Sequence, residues 1–336
     1  MECQEAIAHV VLYHDLTAEQ AYGVATCIMS GKATHAQISS LITALRMKGE
    51  TIDEITGFVR AMREVATPVP CTRDDVIDTC GTGGDGLSTF NISTTAALVA
   101  AGAGCAVAKH GNRSVSSTSG SADILEQLGV KIELTPQHMG KCIDTVGFGF
   151  LFAPLLHGAM KHALGPRREI GIRTLFNILG PLTNPAHARR QLIGVFSRQL
   201  TNPLVHVLKN LGSDHAMVVH GADGLDEITL TGKTYVSELK DGVIRDFTID
   251  PADYGFCPVA LETLQVASSQ ESKERVLAIL QNAPGSERNI VLLNAGSAIY
   301  IAGRAHSIAQ GIELARESIE SGNALACLQG LQRMTA

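Results

Sequence analysis

A glycine-rich segment between a short apolar run and a helix-forming stretch is the feature that most constrains the fold of this chain. Residues 78–95 read DTCGTGGDGLSTFNISTT, and they lie between Asp75–Asp78, with its apolar centre, and the alanine-rich run 94–103. The run before the glycines predicts a short buried strand, and the run after them predicts a helix with Asn91 or Ser93 as its N-cap. Glycine lets the backbone approach an anion closely, and a helix N-terminus offers free N–H groups. The segment therefore predicts a phosphate or pyrophosphate site.

The same glycines formally match two nucleotide-binding patterns, and the residues around them argue against both. Gly81–Gly86 has the spacing GxGxxG, which in dinucleotide-binding folds precedes an acidic residue about 20 positions further on. Here the next predicted strand, 105–109, leads into Lys109 and Arg113, so cations replace the expected acid. A Walker loop is also excluded, because Leu87 follows where that pattern needs a lysine. Glycine amides facing two cations suit a multiply phosphorylated ligand.

A second strand–loop–helix unit begins at Lys109. The sequence KHGNRSVSS at 109–117 is followed by SGSAD at 119–123 and by a helical pattern that ends at Gly129. Because the carboxyl ends of neighbouring parallel strands face one crevice, the two loops could hold both ends of one ligand. The serines could instead serve only as caps and turn formers, but that alternative leaves Lys109 and Arg113 unexplained. We interpret His110 as a donor that lines the site.

Two adjacent carboxylates, Asp226 and Glu227, follow the apolar run 216–219. Magnesium prefers one or two carboxylates, keeps several waters and bridges phosphate oxygens, so the pair would complement a bound pyrophosphate. On spacing alone a solvated acidic turn explains the pair equally well. Only the neighbouring phosphate site favours the metal.

A basic segment, HGAMKHALGPRREIGIR at 157–173, contains arginines that could bind a small carboxylate through their bidentate fork. A solvated helix face with ion pairs four residues apart explains this segment equally well.

Cys80 belongs to no recognisable triad pattern, which predicts a small buried thiol. We therefore expect no protein nucleophile.

The rest of the chain predicts a helical part followed by an α/β part. Residues 1–66 carry only helical patterns, whereas short apolar runs alternate with helical stretches after Pro68–Pro70, and this alternation is typical of a parallel sheet. The apolar runs lie at 75–78, 105–109, 130–134, 148–152, 191–196 and 216–220. A hairpin is expected over 235–247, and helix returns after it.

Composition narrows the possible functions. The 336 residues are 45% hydrophobic and 18% charged, enough to bury the cores of two domains. A net charge of -6 argues against nucleic acid or anionic membrane as partners. The longest apolar run, 96–108, is too short for a bilayer, and Glu2 and Glu5 disfavour a signal peptide, so a cytoplasmic location is expected. Eight scattered cysteines without a CxxC pair indicate reduced thiols.

Taken together, the motifs resemble one family over nearly the whole chain, the anthranilate phosphoribosyltransferases. The resemblance rests on GTGGDG at 81–86, TFNIST at 89–94, KHGNRSVSS at 109–117, GSAD at 120–123, RTLFN at 173–177, LGPLTNP at 179–185 and GLDE at 224–227. Two short stretches, His157–Gly158 and Leu164–Pro166, depart from the family pattern.

The resemblance implies a fold, an activity and an assembly. A small all-helical N-terminal domain, residues 1–70 with a mid-chain helical insertion near 168–190, would lie beside a larger α/β domain, 71–336, with a mostly parallel central sheet. The reaction would transfer the 5-phosphoribosyl group from phosphoribosyl pyrophosphate to the amine of anthranilate and release pyrophosphate, as the second step of tryptophan biosynthesis from chorismate. The enzyme would depend on Mg²⁺ and form a homodimer through the helical domain.

The resemblance also assigns site residues. The donor would be bound by Gly81, Gly84, Asp85, Thr89, Asn91, Ile92, Ser93, Thr94, Lys109, His110, Gly111, Asn112, Arg113, Ser114, Val115, Ser116, Ser117 and Ser121. Anthranilate would be bound by Gly81, Asn112 and Arg167. Ser93, Asp226 and Glu227 would hold magnesium, with two ions per subunit expected. A related phosphoribosyltransferase or a nucleoside phosphorylase with a different acceptor remains the alternative.

Overall fold

The computed structural model describes residues 1–114 and 119–336. The expected donor-binding residues Val115, Ser116 and Ser117 lie outside the described residues. Among the helices described, none is long and apolar enough to cross a membrane.

The first 65 residues form a bundle of four helices. These are α1 (Cys3–Val10), α2 (Ala18–Met29), α3 (His35–Lys48) and α4 (Ile52–Val65). Helices α2, α3 and α4 begin in the same way, with Thr17, Thr34 and Thr51 as their N-cap residues. The side chain of each threonine accepts the N–H of the residue three positions later, and the side chain of that residue accepts the N–H of the threonine. Such capping boxes satisfy amides that a helix start leaves unpaired. Local chemistry thus sets where these helices begin.

The described residues of the α/β part build one seven-stranded sheet in the order β3-β2-β1-β4-β5-β6-β7. Its strands are β1 (Val76–Gly81), β2 (Ala106–Gly111), β3 (Phe148–Phe152), β4 (Arg190–Gly194), β5 (His215–Gly221), β6 (Thr234–Lys240) and β7 (Val243–Ile249). The first five pair in parallel and the last two are antiparallel. The predicted mostly parallel sheet is confirmed, and so is the hairpin, whose Asp241 and Gly242 have the positive φ angles of 51° and 75° that a tight hairpin turn needs.

The strand predicted over 130–134 was wrong. This stretch is irregular and connects α6 (Ser121–Gln127) to α7 (Pro136–Val146). Val130 and Ile132 are nevertheless buried in the core. They alternate with Lys131 and Glu133 because only one side of this segment packs against helices. Periodicity alone cannot distinguish such a segment from a strand.

Helices cover both faces of the sheet. The remaining helices are α5 (Ile92–Gly102), α8 (Ala153–Leu156), α9 (Lys161–Ile170), α10 (Phe176–Leu179), α11 (Thr201–Asn210), α12 (Ser269–Leu280), α13 (Ser286–Ile301), α14 (Ile308–Glu320) and α15 (Asn323–Thr335). One apolar core lies between the sheet and α5, α13, α14 and α15. A second core joins the N-terminal bundle, the stretch 163–182 and the opposite sheet face through α11. The bundle therefore packs directly onto the α/β part, and mid-chain residues complete its core.

Candidate active site

The candidate site lies where the order of the strands reverses. β1 is flanked by β2 on one side and by β4 on the other, so the chain runs outward in two directions from this point. Ligands of open α/β sheets bind in the crevice outside the carboxyl ends of the strands at such a point. The glycine segment follows β1, Lys109 lies near the end of β2, and the two carboxylates follow β5. The topology thus brings the three predicted motifs to one edge of the sheet.

The glycine segment takes a backbone path that other residues would strain. Gly83, Gly84 and Gly86 have φ angles of 67°, 79° and 74°, in the left-handed region. The N–H of Gly83 donates to Asp226 Oδ2 at 2.7 Å. A Cβ placed on Gly81 would lie 2.2 Å from that same oxygen, so this position needs glycine for close approach. The first predicted motif therefore touches the predicted metal carboxylate directly.

The far end of the glycine segment is tied to residues 264–272. The N–H of Phe90 donates to the carbonyl of Leu264 at 3.1 Å, and Thr89 forms a backbone bridge with Gln265. Asn91, one of the two expected N-cap residues, directly precedes α5, but its side chain makes no capping bond and its Oδ1 accepts the Ser272 hydroxyl at 2.8 Å instead. Asp85 accepts a backbone N–H within the loop. Ile92, Ser93 and Thr94 then form the first turn of α5, where the Ile92 N–H donates to the carbonyl of Phe90 at 2.7 Å.

Lys109 carries a charge that is almost wholly removed from water. Its side chain is only 1% exposed, and its ammonium group donates to the carbonyl of Thr79 and to Ser93 Oγ, the latter at 3.3 Å. The lysine therefore reaches from β2 across β1 to the start of α5. A buried ammonium at this position can stabilise an anion strongly, because little solvent screens it.

Asp226 and Glu227 are held at the same place by backbone donors. Ser93 N–H donates to Glu227 Oε1 at 3.1 Å, which parallels the bond from Gly83 to Asp226. Removal from water raises the pKa of both carboxyl groups, and the charge of Asp85 raises the pKa of Asp226 further. A cation would relieve this crowding of negative charge.

The donor set fits magnesium. Within residues 1–114 and 119–336, no group of three or more His, Cys, Asp or Glu side chains forms a protein cage for a metal. Two carboxylates beside the Ser93 hydroxyl offer only hard oxygen atoms, and magnesium typically takes one or two carboxylates and completes its shell with water and substrate phosphate. The arrangement thus suits an ion that arrives with its ligand.

A buried network behind Lys109 was not anticipated from the sequence. Asp78 accepts the His110 N–H at 3.1 Å and the Asn184 side-chain N–H at 2.8 Å, and Asn184 also donates to the carbonyl of Ala108 at 2.8 Å. Cys80 is the small buried thiol that was predicted, and burial raises its pKa well above the usual value. These bonds fix the end of β2, and with it the position of Lys109.

His110 contacts a second histidine. Its Nδ1 lies 3.1 Å from the carbonyl of Gly180, and its Nε2 lies 3.2 Å from Nε2 of His157. A carbonyl only accepts, so Nδ1 of His110 carries the proton, its Nε2 accepts, and His157 donates. Burial, aided by the neighbouring His157, lowers the pKa of His110 to about 3, and burial lowers the pKa of His157 to about 4. Both rings are therefore neutral at pH 7.

Arg113 is engaged differently from the sequence-based expectation of a cation facing phosphate. Its guanidinium donates to Glu126 at 2.9 Å and to Asp123 at 3.3 Å. Asp123 also accepts the N–H of Ser114 at 3.0 Å, which folds the loop back on the start of α6. Arg113 is thus part of an ion-pair cluster with Asp123 and Glu126, and its expected role in donor binding stays a prediction.

The other residues of this second loop lie at its two ends. Ser121 is the first residue of α6, and its hydroxyl donates to the carbonyl of Asn112 at 3.4 Å. Gly111 ends β2, and a Cβ placed there would lie 2.2 Å from Ser121 Oγ. The loop therefore begins and ends at one place beside the crevice.

The mid-chain segment carries two arginines, one of which contacts the glycine segment. Arg167 lies in α9 with its guanidinium 5.3 Å from the centre of the Phe176 ring, and burial lowers its pKa. Arg173 donates to the carbonyl of Gly84 and stacks 4.5 Å from the Phe196 ring. Arg173 therefore brings a cation from this segment to the glycine segment, whereas Arg167 packs against Phe176 within the mid-chain segment itself.

Comparisons with known proteins agree with this arrangement. Residues 4–66 match the helical bundle domain of a glycosyl transferase family, and residues 73–325 match the a/b domain of that family. The chain is 54% identical to an anthranilate phosphoribosyltransferase of Thiobacillus denitrificans over 98% of this chain and 96% of that protein. The chain belongs to the anthranilate phosphoribosyltransferase family.

Solved structures of this family share the fold. The anthranilate phosphoribosyltransferase of Thermus thermophilus superposes with a TM-score of 0.93 at 41% identity, covering 98% of this chain and 99% of that one. The Saccharomyces cerevisiae anthranilate phosphoribosyltransferase, solved in complex with phosphoribosyl pyrophosphate and Mg, gives a TM-score of 0.90 at 27% identity, covering 99% and 97%. The helical-plus-α/β fold expected from the sequence is confirmed.

Proposed function

We propose that this anthranilate phosphoribosyltransferase family member transfers the 5-phosphoribosyl group of phosphoribosyl pyrophosphate to the amine of anthranilate, with release of pyrophosphate. This is the second step of tryptophan biosynthesis from chorismate. The observation that carries the proposal is the bond from the Gly83 amide to Asp226, since it joins an anion-binding loop to a metal-binding carboxylate.

The donor is assigned to the crevice outside β1, β2 and β5. Backbone amides of the glycine segment would bind the phosphates, with Lys109 as the buried cation. Asp226, Glu227 and Ser93 would hold magnesium, with two ions per subunit. When bound, magnesium would neutralise the charge that develops on departing pyrophosphate.

The chain's own residues supply positioning and charge rather than a nucleophile. Lys109, which is buried, and the loop amides would stabilise negative charge as the bond at C1 of the ribose breaks. Orienting the anthranilate amine toward the opposite face of C1 gives inversion. Cys80 cannot serve as a nucleophile, because its thiol is buried and its pKa is raised.

The acceptor is assigned to Arg167, Asn112 and the edge of the loop at Gly81. Arg167 is half-buried, so solvent screens its charge only in part and a carboxylate would find a bidentate partner there. The neutral pair joins His110 of β2 to His157 at the start of the basic segment. Neutral rings add no competing positive charge, so the anthranilate carboxylate would be drawn to Arg167.

A homodimer through the helical bundle is part of the proposal. Val11, Leu12 and Tyr13 after α1 are 53%, 66% and 66% exposed, and Met47 and Leu164 on the adjoining α3 and α9 are 71% and 51% exposed. Exposed apolar patches of this kind mark interaction sites. Leu12→Glu should shift the sedimentation coefficient to that of a monomer, and an unshifted dimer would remove this face as the interface.

The cytoplasmic location stays a prediction, as does the absence of nucleic acid or membrane as partners.

Anthranilate fluorescence tests the activity. The signal should fall when enzyme, phosphoribosyl pyrophosphate and Mg²⁺ are all present, and it should persist when any one is omitted. Undiminished fluorescence in the complete mixture, with freshly prepared folded protein, would refute the proposal.

Two variants test the assignment of the subsites. Arg167→Ala should raise the KM for anthranilate about 10-fold or more, because a charge-assisted hydrogen bond contributes about 1.5–3 kcal/mol, with little change in the KM for the donor. Arg168→Ala, next to it but exposed, is the matched control and should leave both constants unchanged. Equal effects of Arg167→Ala on both substrates would contradict its role.

A further inference from the structure

Asn294 places a buried polar side chain behind the proposed metal carboxylates. It lies in the middle of α13, where residues 290–299 are all buried and mostly apolar, and it is 1% exposed. Burying an amide is unfavourable unless its hydrogen-bonding groups find partners. The bonds that Asn294 makes therefore indicate its role.

The Asn294 side chain holds both polar groups of one peptide residue. Its Oδ1 accepts the Ile228 N–H at 3.0 Å, and its Nδ2 donates to the Ile228 carbonyl at 2.8 Å. Nδ2 also donates to the carbonyl of Ile290 at 2.9 Å, one turn back in its own helix. Because Ile228 directly follows Glu227, the helix fixes the backbone that presents this carboxylate.

The other end of the same turn is fixed by Asp223. Its carboxylate accepts the Leu225 N–H at 3.1 Å and the hydroxyls of Thr229 and Thr231, both at 2.6 Å. Asp226 and Glu227 therefore lie between two anchors. Rigid backbone on both sides sets the direction in which the two carboxylates point.

Asn294 is also next to the site itself. Together with Ser93, Glu227 and Thr79 it lines one small internal cavity below the carboxylates. Its bonds to Ile228 leave its Oδ1 and Nδ2 committed to the backbone, so its action on the site passes through the position of Glu227.

We propose that Asn294 is a positioning residue that aims Asp226 and Glu227 at the magnesium bound with the donor. The proposal rests on the proposed function. It predicts different effects on the site of the metal and donor and on the site of the acceptor. Loss of the Ile228 bonds would loosen the carboxylates and weaken metal binding, whereas the acceptor subsite around Arg167 would be unaffected.

Metal binding in two variants tests this. Asn294→Leu has a side chain of similar volume but cannot form the hydrogen bonds to Ile228. Asn294→Ser keeps a polar side chain that is too short to reach Ile228 and is smaller than the asparagine it replaces. We expect Mn²⁺, titrated by electron paramagnetic resonance in the presence of phosphoribosyl pyrophosphate, to bind about 10- to 100-fold more weakly, the usual effect of losing a group that orients metal ligands. The Mg²⁺ needed for half-maximal rate should rise in parallel, with the KM for anthranilate unchanged.

Ser297→Ala is the matched control. Ser297 is buried in the same helix, but its hydroxyl donates only to the carbonyl of Leu293 at 2.9 Å, so this variant should keep native Mn²⁺ affinity. Native Mn²⁺ affinity in a folded Asn294 variant would overturn the proposal, and so would failure of both Asn294 variants to fold, since that outcome indicates a role in stability alone. Wild-type protein that binds no Mn²⁺ would instead refute the metal site of the proposed function.

Discussion

The pair of neutral histidines, His110 and His157, predicts how the protein loses stability in acid. Their folded pKa values, about 3 and about 4, lie below the ordinary histidine value of about 6.5. The unfolded chain therefore binds more protons than the folded one below pH 6.5. Stability from this source is complete above pH 6.5, falls as the pH decreases, and levels off near pH 3 to 4, where the folded rings also bind protons.

The size of the effect follows from the same values. Between pH 7 and pH 5 an unfolded histidine goes from mostly neutral to almost fully protonated, while both folded rings stay largely neutral. Each histidine then lowers the free energy of unfolding by about 2 kcal/mol between pH 7 and pH 5, and the pair lowers it by about 4 kcal/mol. The reason is that each extra proton bound by the unfolded chain changes this free energy by about 1.4 kcal/mol per pH unit. A loss of this size is a large part of the total stability of a typical domain.

Urea unfolding at pH 7 and at pH 5 measures the effect. The double variant His110→Asn, His157→Gln keeps polar side chains but does not titrate, so its free energy of unfolding should fall by about 4 kcal/mol less than that of the wild type. His306→Gln removes an exposed histidine and should behave as the wild type does. Equal losses in the wild type and the double variant would show that this pair does not control acid stability.

Three substitutions test the geometry of the crevice. Gly81→Ala should lower kcat/KM for the donor by about 10-fold or more while the melting temperature stays near native, because the new Cβ would lie 2.2 Å from the Asp226 carboxylate, whose position it would change. Gly194→Ala should instead destabilise the fold by about 1–3 kcal/mol in thermal melts, because its Cβ would lie 1.6 Å from the backbone carbonyl of Asp226. Lys109→Met should reduce kcat by about 10²–10³ in the fluorescence assay, since a buried cation at the developing charge is lost; a near-native rate would remove Lys109 from the donor site.

The sequence predicts features whose causes are local. A threonine that caps a helix, a glycine with positive φ, and a strand that leads into a helix each depend on residues a few positions apart. The glycine segment and the hairpin turn at Asp241 and Gly242 were therefore predictable.

Features that depend on distant residues were missed. Asn294 meets Ile228 across 66 residues, and Asn184 meets Asp78 across 106, and neither contact leaves a periodic pattern in the chain. The ion pair of Arg113 with Glu126 on the following helix was not predicted either, and the donor-binding role expected for Arg113 stays a prediction. Nearness along the chain indicates that charges can meet, yet only the fold decides which pairs form.

The core shared by the N-terminal bundle and the stretch 163–182 means that the bundle is not a transferable module. A fragment cut after residue 70 would lack Leu175, Phe176 and Leu179, which are buried in that core, and it would expose the apolar surface they cover. After a single protease cut near Pro70, residues 1–70 would be held only by this non-covalent core, because the mid-chain stretch belongs to the other fragment. In recombination or fusion experiments the exchangeable unit is consequently the whole chain.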